Sequence, residues 1–303
     1  MRDHISVCII TFRRQQMLER LLCCLKTQET EGLFDYSLVV VDNDAAGSAA
    51  ETVARIRADL GLTIEYDIEA EQTIPAARNR ALGLARGNYI GIIDDDEFAR
   101  PDWLVVLYRA IQRFGVDAGL GPVYPFFSEE PPRWLLKGRF CERPVIRTGT
   151  ILNCAQTRTG NVLLKREVFD RHDLYFDRNM KTSGSDRAFF MRAMDAGFKF
   201  IAVKEAPVYE TVPPKRWTQG YFIKRAIIQG YNAQKIIRRR ICLLPSIILF
   251  VKLAATAAGY GIMLPFARCI GHHLYVRCLE SGAYNLSRLS ALLGVELIKK
   301  RAF

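Results

Sequence analysis

Four short apolar runs, each broken off by a polar or acidic residue and separated by segments of helical periodicity, constrain this chain more than any other feature. Ile5–Thr11 is rich in β-branched residues, bounded by polar ones, and reads as a buried strand. Gln15–Lys26 follows with Met17, Leu18, Leu21, Leu22 and Leu25 at helical spacing. Tyr36–Val41 is the next strand and ends at Asp42-Asn43-Asp44; Ser48 is placed to cap a helix over Ala49–Leu60, which Gly61 stops. Thr63–Ile68 alternates as a strand, Ile74–Arg86 is helical up to Gly87, and Asn88–Ile93 is a fourth strand that runs into Asp94-Asp95-Asp96-Glu97. Pro101 then opens another helix. Repeated β–α units of this length predict an α/β fold, a mostly parallel sheet with helices on both faces. Ligands of such sheets bind outside the carboxyl ends of the strands. Thr11, Asp42 and Asp94–Asp96 each fall just past a strand, so they are candidates for one cleft.

Beyond residue 121 the pattern loosens. Pro122–Thr150 holds Pro125, Pro131, Pro132 and Pro144 among scattered aromatics and reads as a long irregular connection. Asn161–Leu164 is a short strand, Asp186–Ala196 a helix stopped by Gly197, Phe198–Val203 a last strand, and Trp217–Arg240 a basic helix. Eight cysteines in 303 residues, none in a CxxC pair, are expected to be reduced thiols in a cytosolic compartment. The first apolar run is too short for a signal peptide and lacks a small-residue cleavage site, so secretion of the bulk of the protein is not expected.

Charge is distributed unevenly. The net charge is +11, yet residues 1–120 carry 19 acids against 13 bases, whereas residues 211–303 carry 15 bases against Glu280 and Glu296 alone. A basic patch can bind nucleic acid, but these bases flank an apolar stretch, Ile241–Ala267, with Arg238-Arg239-Arg240 before it and Arg268 after it. That pattern predicts an anionic membrane surface as partner and no nucleic acid. The stretch is long enough to span a bilayer, but Pro245, Lys252, Gly259 and Gly261 make it a poor span; an interfacial or re-entrant helix fits as well, and a buried helix pair is the structural alternative.

Four consecutive acids behind an apolar strand repel one another unless positive charge offsets them. A hard divalent cation with sites left for phosphate oxygens would do so, and a solvated acidic turn is the plainer alternative. No GxGxxG follows the first strand and no GxxxxGK[ST] occurs, which removes dinucleotide-binding and P-loop readings. Cys269, His272, His273 and Cys278 lie close together, but their spacing matches no standard zinc site; His4 and His172 have no evident partner.

In order, Ile9-Ile10-Thr11-Phe12-Arg13-Arg14, Val39-Val40-Val41-Asp42-Asn43-Asp44, Ala77-Arg78-Asn79-Arg80-Ala81, Ala85-Arg86-Gly87-Asn88-Tyr89-Ile90 and Ile93-Asp94-Asp95-Asp96 resemble the successive motifs of inverting family 2 glycosyltransferases, whose nucleotide-sugar-binding fold is called GT-A. Thr159-Gly160-Asn161-Val162-Leu163-Leu164 and Gly184-Ser185-Asp186 resemble the acceptor-side half. The likeness covers roughly residues 4–240 and extends to bacterial enzymes that build succinoglycan-like exopolysaccharides.

The resemblance implies a GT-A domain over residues 1–240, divided into a nucleotide-sugar half (1–120), an acceptor half (121–210) and a basic helix (211–240), followed by a membrane-associated helical tail (241–303). It implies a nucleoside diphosphate sugar as donor, a saccharide or polyprenyl-diphosphate-linked saccharide as acceptor, and action at the cytoplasmic face of the plasma membrane. Asp96, with Asp94, would hold Mg²⁺ or Mn²⁺, and Asp94 or Asp95 would contact the ribose. Thr11 and Asp42, with Arg13 and Asp44 beside them, match the nucleotide-binding positions, Arg78 would support the nucleobase pocket, and Asp186 matches the general base. The family's Glu before that base is Ser185 here, and the glutamine of its processive Q-x-x-R-W motif is Val212, so single-sugar addition is expected over polymerisation, with Trp217 a packing residue before a sugar platform. A non-catalytic relative serving as scaffold in an envelope assembly, and a nucleotidyltransferase, are the alternatives; retention of Asp42, Asp94, Asp96 and Asp186 favours the enzyme.

Overall fold

A computed structural model describes residues 2–61, 63–171, 174–180, 184–238, 243–295 and 297. His172, Arg239 and Arg240, which enter the sequence reading, lie outside that set. The chain divides into two units, the first made of Met1–Phe126, Glu142–Lys181 and Ser185–Thr211.

In this first unit the alternation is realised as β1 (Asp3–Thr11), α1 (Gln15–Lys26), β2 (Phe34–Asp42), α2 (Ala50–Leu60), β3 (Ile64–Ile68), α3 (Ile74–Leu84) and β4 (Tyr89–Ile92). They are followed by β5 (Glu97–Ala99), α4 (Trp103–Phe114), β6 (Ala118–Leu120) and β7 (Val123–Phe126). The main sheet has the order β3-β2-β1-β4-β8-β6-β9, with β8 at Val162–Lys165 and β9 at Phe200–Ala202. Pairing is parallel from β3 through β4 and between β6 and β9, while β8 runs against both its neighbours. Ile92 lies beside Val162, so the end of β4 meets the start of β8. A small second sheet, β5-β10-β7, adds β10 (Val208–Thr211).

Helix α1 buries Leu18, Leu21, Leu22 and Leu25 completely. Each such side chain contributes roughly 1.5–3 kcal/mol of transfer free energy. Two apolar layers, one on each face of the sheet, hold the unit together: Trp103, Leu104 and Leu107 of α4 in one, and Phe189, Phe190 and Phe200 in the other.

Several local expectations need correction. Ser48 caps nothing: α2 starts at Ala50, and its free end is met by Asp42, whose Oδ2 accepts the Ala49 N–H at 2.7 Å. The helix expected at Pro101 begins at Trp103, after a turn. Pro122–Thr150 is not irregular throughout, since it contains β7 and α5 (Arg133–Lys137). Pro125 is tolerated in β7 because that strand lies at the edge of the small sheet, where a missing N–H breaks no ladder. His4 has a partner, with its Nε2 2.8 Å from Ser37 Oγ.

The second unit is helical, combines Phe127–Cys141, Thr182–Gly184 and Val212–Phe303, and includes α8 (Gln219–Arg238). Its small core is Leu135, Phe140, Phe222 and Val276, with Trp134 and Trp217 packed against it. Trp217 sits edge-on to Phe127 at 5.8 Å and its indole N–H donates to the Val212 carbonyl at 3.0 Å, which makes it a packing residue. The apolar stretch is one continuous helix, α9 (Leu243–Ile270), despite its prolines and glycines, and Gly271 alone separates it from α10 (His272–Leu292). Among the described residues, Cys269, His272, His273 and Cys278 included, no three or more His, Cys, Asp or Glu side chains are grouped as they would be around a metal ion.

Candidate active site

Because β1, β2 and β4 are parallel, Thr11, Asp42 and Asp94–Glu97 leave the sheet at one edge. The antiparallel β8 brings Thr159-Gly160-Asn161 to that same edge from the opposite direction. A carboxylate cluster forms there, interleaved with arginines.

Asp186, in the first turn of α7 (Ser185–Asp195), is at its centre. Its Oδ2 accepts the Thr159 hydroxyl at 2.7 Å and the Thr159 N–H at 3.4 Å. Its Oδ1 accepts the Ser185 hydroxyl at 3.2 Å and the guanidinium of Arg78. Burial works to raise the Asp186 pKa, but the Arg78 charge and the Thr159 and Ser185 hydrogen bonds outweigh it, and the carboxyl is held below its ordinary range. Asp186 is therefore ionised at neutral pH.

Arg78 joins the two halves of the site. Its Nη2 is 3.4 Å from Asp94 Oδ1 while Nη1 reaches Asp186. The side chain is buried, lies over the Phe176 ring at 5.4 Å, and keeps an Nε without a hydrogen-bond partner. Arg78, expected to support a nucleobase pocket, is carried by α3 to this bridging position between Asp186 and the acidic run.

Thr11 donates to Asp95 Oδ2 at 2.8 Å, tying the end of β1 to the acids. Arg13 and Asp44 pair through two hydrogen bonds, 2.8 and 3.3 Å, and the guanidinium lowers the Asp44 pKa. Arg13 has a left-handed backbone, φ +53°, and this reversal separates its side chain from that of Arg14. Arg14 turns inward, with Nη1 at 2.8 Å from Asp95 and 3.1 Å from Asp96. Asp42 presents no surface: its carboxylate accepts Asp44 N–H at 3.0 Å, Ala49 N–H at 2.7 Å and the Tyr66 hydroxyl at 3.1 Å. Asp42 thus shapes the turn between β2 and α2.

The acids still outweigh the arginines. Burial raises Asp95 to about 6 against the pull of Arg14, raises Asp94 against that of Arg78, and takes Glu97 well above its usual range, with Asp94 adding to the shift. A Cβ on Gly160 would lie 2.6 Å from Glu97 Oε1 and 3.1 Å from Asp94 Oδ2, so only glycine leaves this space open. Hard oxygen donors, a local shortage of positive charge and that cleared space fit a divalent cation. Among the described residues no group of three or more potential ligands is drawn together there.

Sequence reasoning counted Glu97 among the four acids but gave Arg14, Thr159 and Ser185 no part in the cluster. Arg14 was detectable in principle as the second of two arginines after a strand, and Ser185 as the neighbour of the base. Thr159 depends on strand pairing that local sequence does not display, whereas Glu97 meets Asp94 through a local turn.

A mostly parallel sheet whose carboxyl-end loops gather the acidic run, with an antiparallel strand bringing Thr159 to the further carboxylate Asp186 of α7, is the architecture of the GT-A type fold. Residues 6–173 match the family described as "Glycosyl transferase family 2", and the chain belongs to that family. It is 31% identical over 244 residues to the succinoglycan biosynthesis protein ExoM of Rhizobium meliloti, covering 78% of this chain and 76% of that one. The fold is similar to the mannosyltransferase PcManGT of Pyrobaculum calidifontis in complex with GDP-Man and Mn²⁺, with a TM-score of 0.63 at 18% identity, covering 97% of this chain and 88% of that one. It is also similar to S. aureus TarS 1-349 in complex with UDP-GlcNAc, with a TM-score of 0.55 at 15% identity over 97% and 93% of the two chains.

Proposed function

We propose that this glycosyltransferase moves one sugar, with inversion, from a nucleoside diphosphate sugar to a hydroxyl of a polyprenyl-diphosphate-linked saccharide at the cytoplasmic membrane face, in cell-surface polysaccharide synthesis. The observation that carries this reading is the ionised Asp186, hydrogen-bonded by Thr159 and bridged through Arg78 to Asp94. An ionised carboxylate can accept the proton of an attacking hydroxyl, which contributes about 10²–10⁴-fold to such a step. In the transfer the acceptor oxygen bonds to the anomeric carbon, its proton passes to Asp186, and the bond to the diphosphate oxygen breaks. One displacement inverts the configuration. Mg²⁺ or Mn²⁺, held by Asp94 and Asp96, would supply neutralisation of the charge growing on the leaving diphosphate. Thr11, Asp95 and the Arg13–Asp44 pair would form the nucleotide side, on the floor that Asp42 shapes. The likeness to ExoM supports the polysaccharide context, and the basic, apolar α9 supports a membrane-borne acceptor.

The test is a donor screen with UDP-, GDP-, dTDP- and CMP-sugars in Mg²⁺, Mn²⁺ or EDTA, with lipid extract as acceptor. The expected result is one donor turned over only with metal, and loss of transfer in Asp96→Ala and Asp186→Ala. Full transfer by Asp186→Ala would remove the base assignment, and turnover undiminished in EDTA would remove the metal.

A further inference from the structure

The helix α9 contains a 24-residue segment, Ile247–Ile270, with an 18-residue window of mean hydropathy 1.9, only 11% of which is buried within the protein. At 1.5 Å per residue it would reach about 36 Å, enough for a hydrocarbon core of about 30 Å. Length and composition alone therefore permit a span. The packing of α10 does not.

Helices α9 and α10 form a hairpin folded at Gly271. Arg268 lies over the Tyr275 ring at 5.2 Å, and a Cβ on Gly282 would meet Tyr260 Cβ at 3.6 Å, so residues equally far from Gly271 face each other. Whatever depth α9 occupies, α10 shares. The other side of α10 is fixed to α8 by polar groups. Arg225 pairs with Glu280 at 2.9 Å, Ser287 donates to the Ile227 carbonyl at 2.5 Å, and Arg288 donates to Gln234 at 3.2 Å. Arg277 donates to the Gly138 carbonyl. If α9 crossed a bilayer, Glu280, level with Ile262, would lie inside the hydrocarbon core together with the Arg225 bound to it, and Arg277, level with Pro265, between the centre of the core and its edge. At the centre of the core each charge costs about 2.5–3.5 kcal/mol on insertion scales.

The hairpin buries one stripe of α9, Leu253, Ala257 and Ala267. The opposite face presents Ile248, Val251, Ile262 and Phe266, at 66, 61, 70 and 67% exposure. Lys252 and Arg268 are exposed on the same helix, and residues 211–303 are strongly basic. An apolar stripe bordered by cations, on a helix whose other side is anchored to polar protein, complements an anionic lipid monolayer.

We infer that α9 lies in the plane of one leaflet, its Ile248–Phe266 face immersed among the acyl chains, and does not cross the bilayer. This rests on the membrane association proposed above and specifies its geometry. The full chain is mixed with phosphatidylcholine vesicles with and without phosphatidylglycerol, some carrying brominated acyl chains at set depths. Ile248→Trp, Ala255→Trp, Ile262→Trp and Phe266→Trp report depth through the added quenching relative to the parent chain. Binding that needs phosphatidylglycerol, with equal depth at all four positions and loss in the triple variant Ile248→Glu/Ile262→Glu/Phe266→Glu, is the expected result; an unchanged melting curve and donor hydrolysis show that the variant is folded. Deep quenching at 255 with shallow ends would overturn the in-plane placement and leave membrane association standing. Absence of vesicle binding, with or without self-association through this face, would overturn both.

Discussion

Thr159 holds a single oxygen of Asp186 twice, through its hydroxyl at 2.7 Å and its backbone N–H at 3.4 Å. The hydroxyl bond to a charged acceptor is of the kind that contributes about 1.5–3 kcal/mol. Thr159→Val deletes that donor and keeps the shape. Its loss lets the Asp186 pKa rise, so the acidic limb of the pH–rate profile is expected to move to higher pH and kcat to fall roughly tenfold, with the donor KM unchanged. Thr159→Ser should restore the parent profile. An unmoved limb would show that the hydroxyl does not set the base.

Arg78 separates two carboxylates that would otherwise repel. Arg78→Met is expected to lower stability by about 2 kcal/mol, below the roughly 3–5 of a fully buried pair because Asp94 and Asp186 keep solvent contact. Arg78→Lys reaches only one partner at a time and should fall between the two. Urea denaturation of the three proteins measures this, and a Met variant as stable as the parent would refute the bridge.

Asp95 gives stability a pH dependence of defined sign. Its folded pKa, about 6, lies above the unbound carboxylate value of 3.8, so the native state takes up the proton first. Its contribution therefore grows as pH falls from above 6 toward 4, by roughly 1 kcal/mol between pH 7 and pH 5. The depressed Asp186 acts oppositely, but its contribution is lost only below the ordinary carboxylate range. Chemical denaturation in metal-free buffer should show greater stability at pH 5 than at pH 7, with a smaller difference in Asp95→Asn.

Asn161 is fully buried at φ +61°, accepts the Trp103 indole N–H at 2.7 Å and donates to the carbonyls of Pro122 and Ala206 at 2.9 and 2.8 Å. Asn161→Ala strands three buried partners and places a less tolerant residue in a left-handed turn. A loss of about 3–5 kcal/mol is expected in urea denaturation, severe enough to lower soluble yield. A variant within 1 kcal/mol of the parent would contradict this account.

The first half of the fold was legible because each strand there is a contiguous apolar run ended by a polar residue, as Ile5–Thr11 and Tyr36–Val41 show. Strands of three or four residues, such as β5, β6 and β10, carry too few positions for a period to register. The acidic run and Asp186 could be named from their order in the chain. Their neighbours could not, since Thr159 meets Asp186 only because β8 runs backward beside β4. Asp42 shows what a motif leaves out: its order in the chain marks it for the site, but not that its oxygens accept the Asp44 and Ala49 amides and the Tyr66 hydroxyl.

That reversed strand also separates the two specificities of the site. Under the proposed roles the donor-side carboxylates leave the sheet on outgoing chain, after β1, β2 and β4, whereas Thr159, which holds Asp186, arrives on incoming chain with Gly160, which borders Asp94 and Glu97. The two sets of loops share a border and no peptide. Insertions or substitutions that re-tune acceptor recognition can accumulate in the segment leading into β8 without altering the registry of the donor loops, so one scaffold can be recombined to place different sugars on different acceptors.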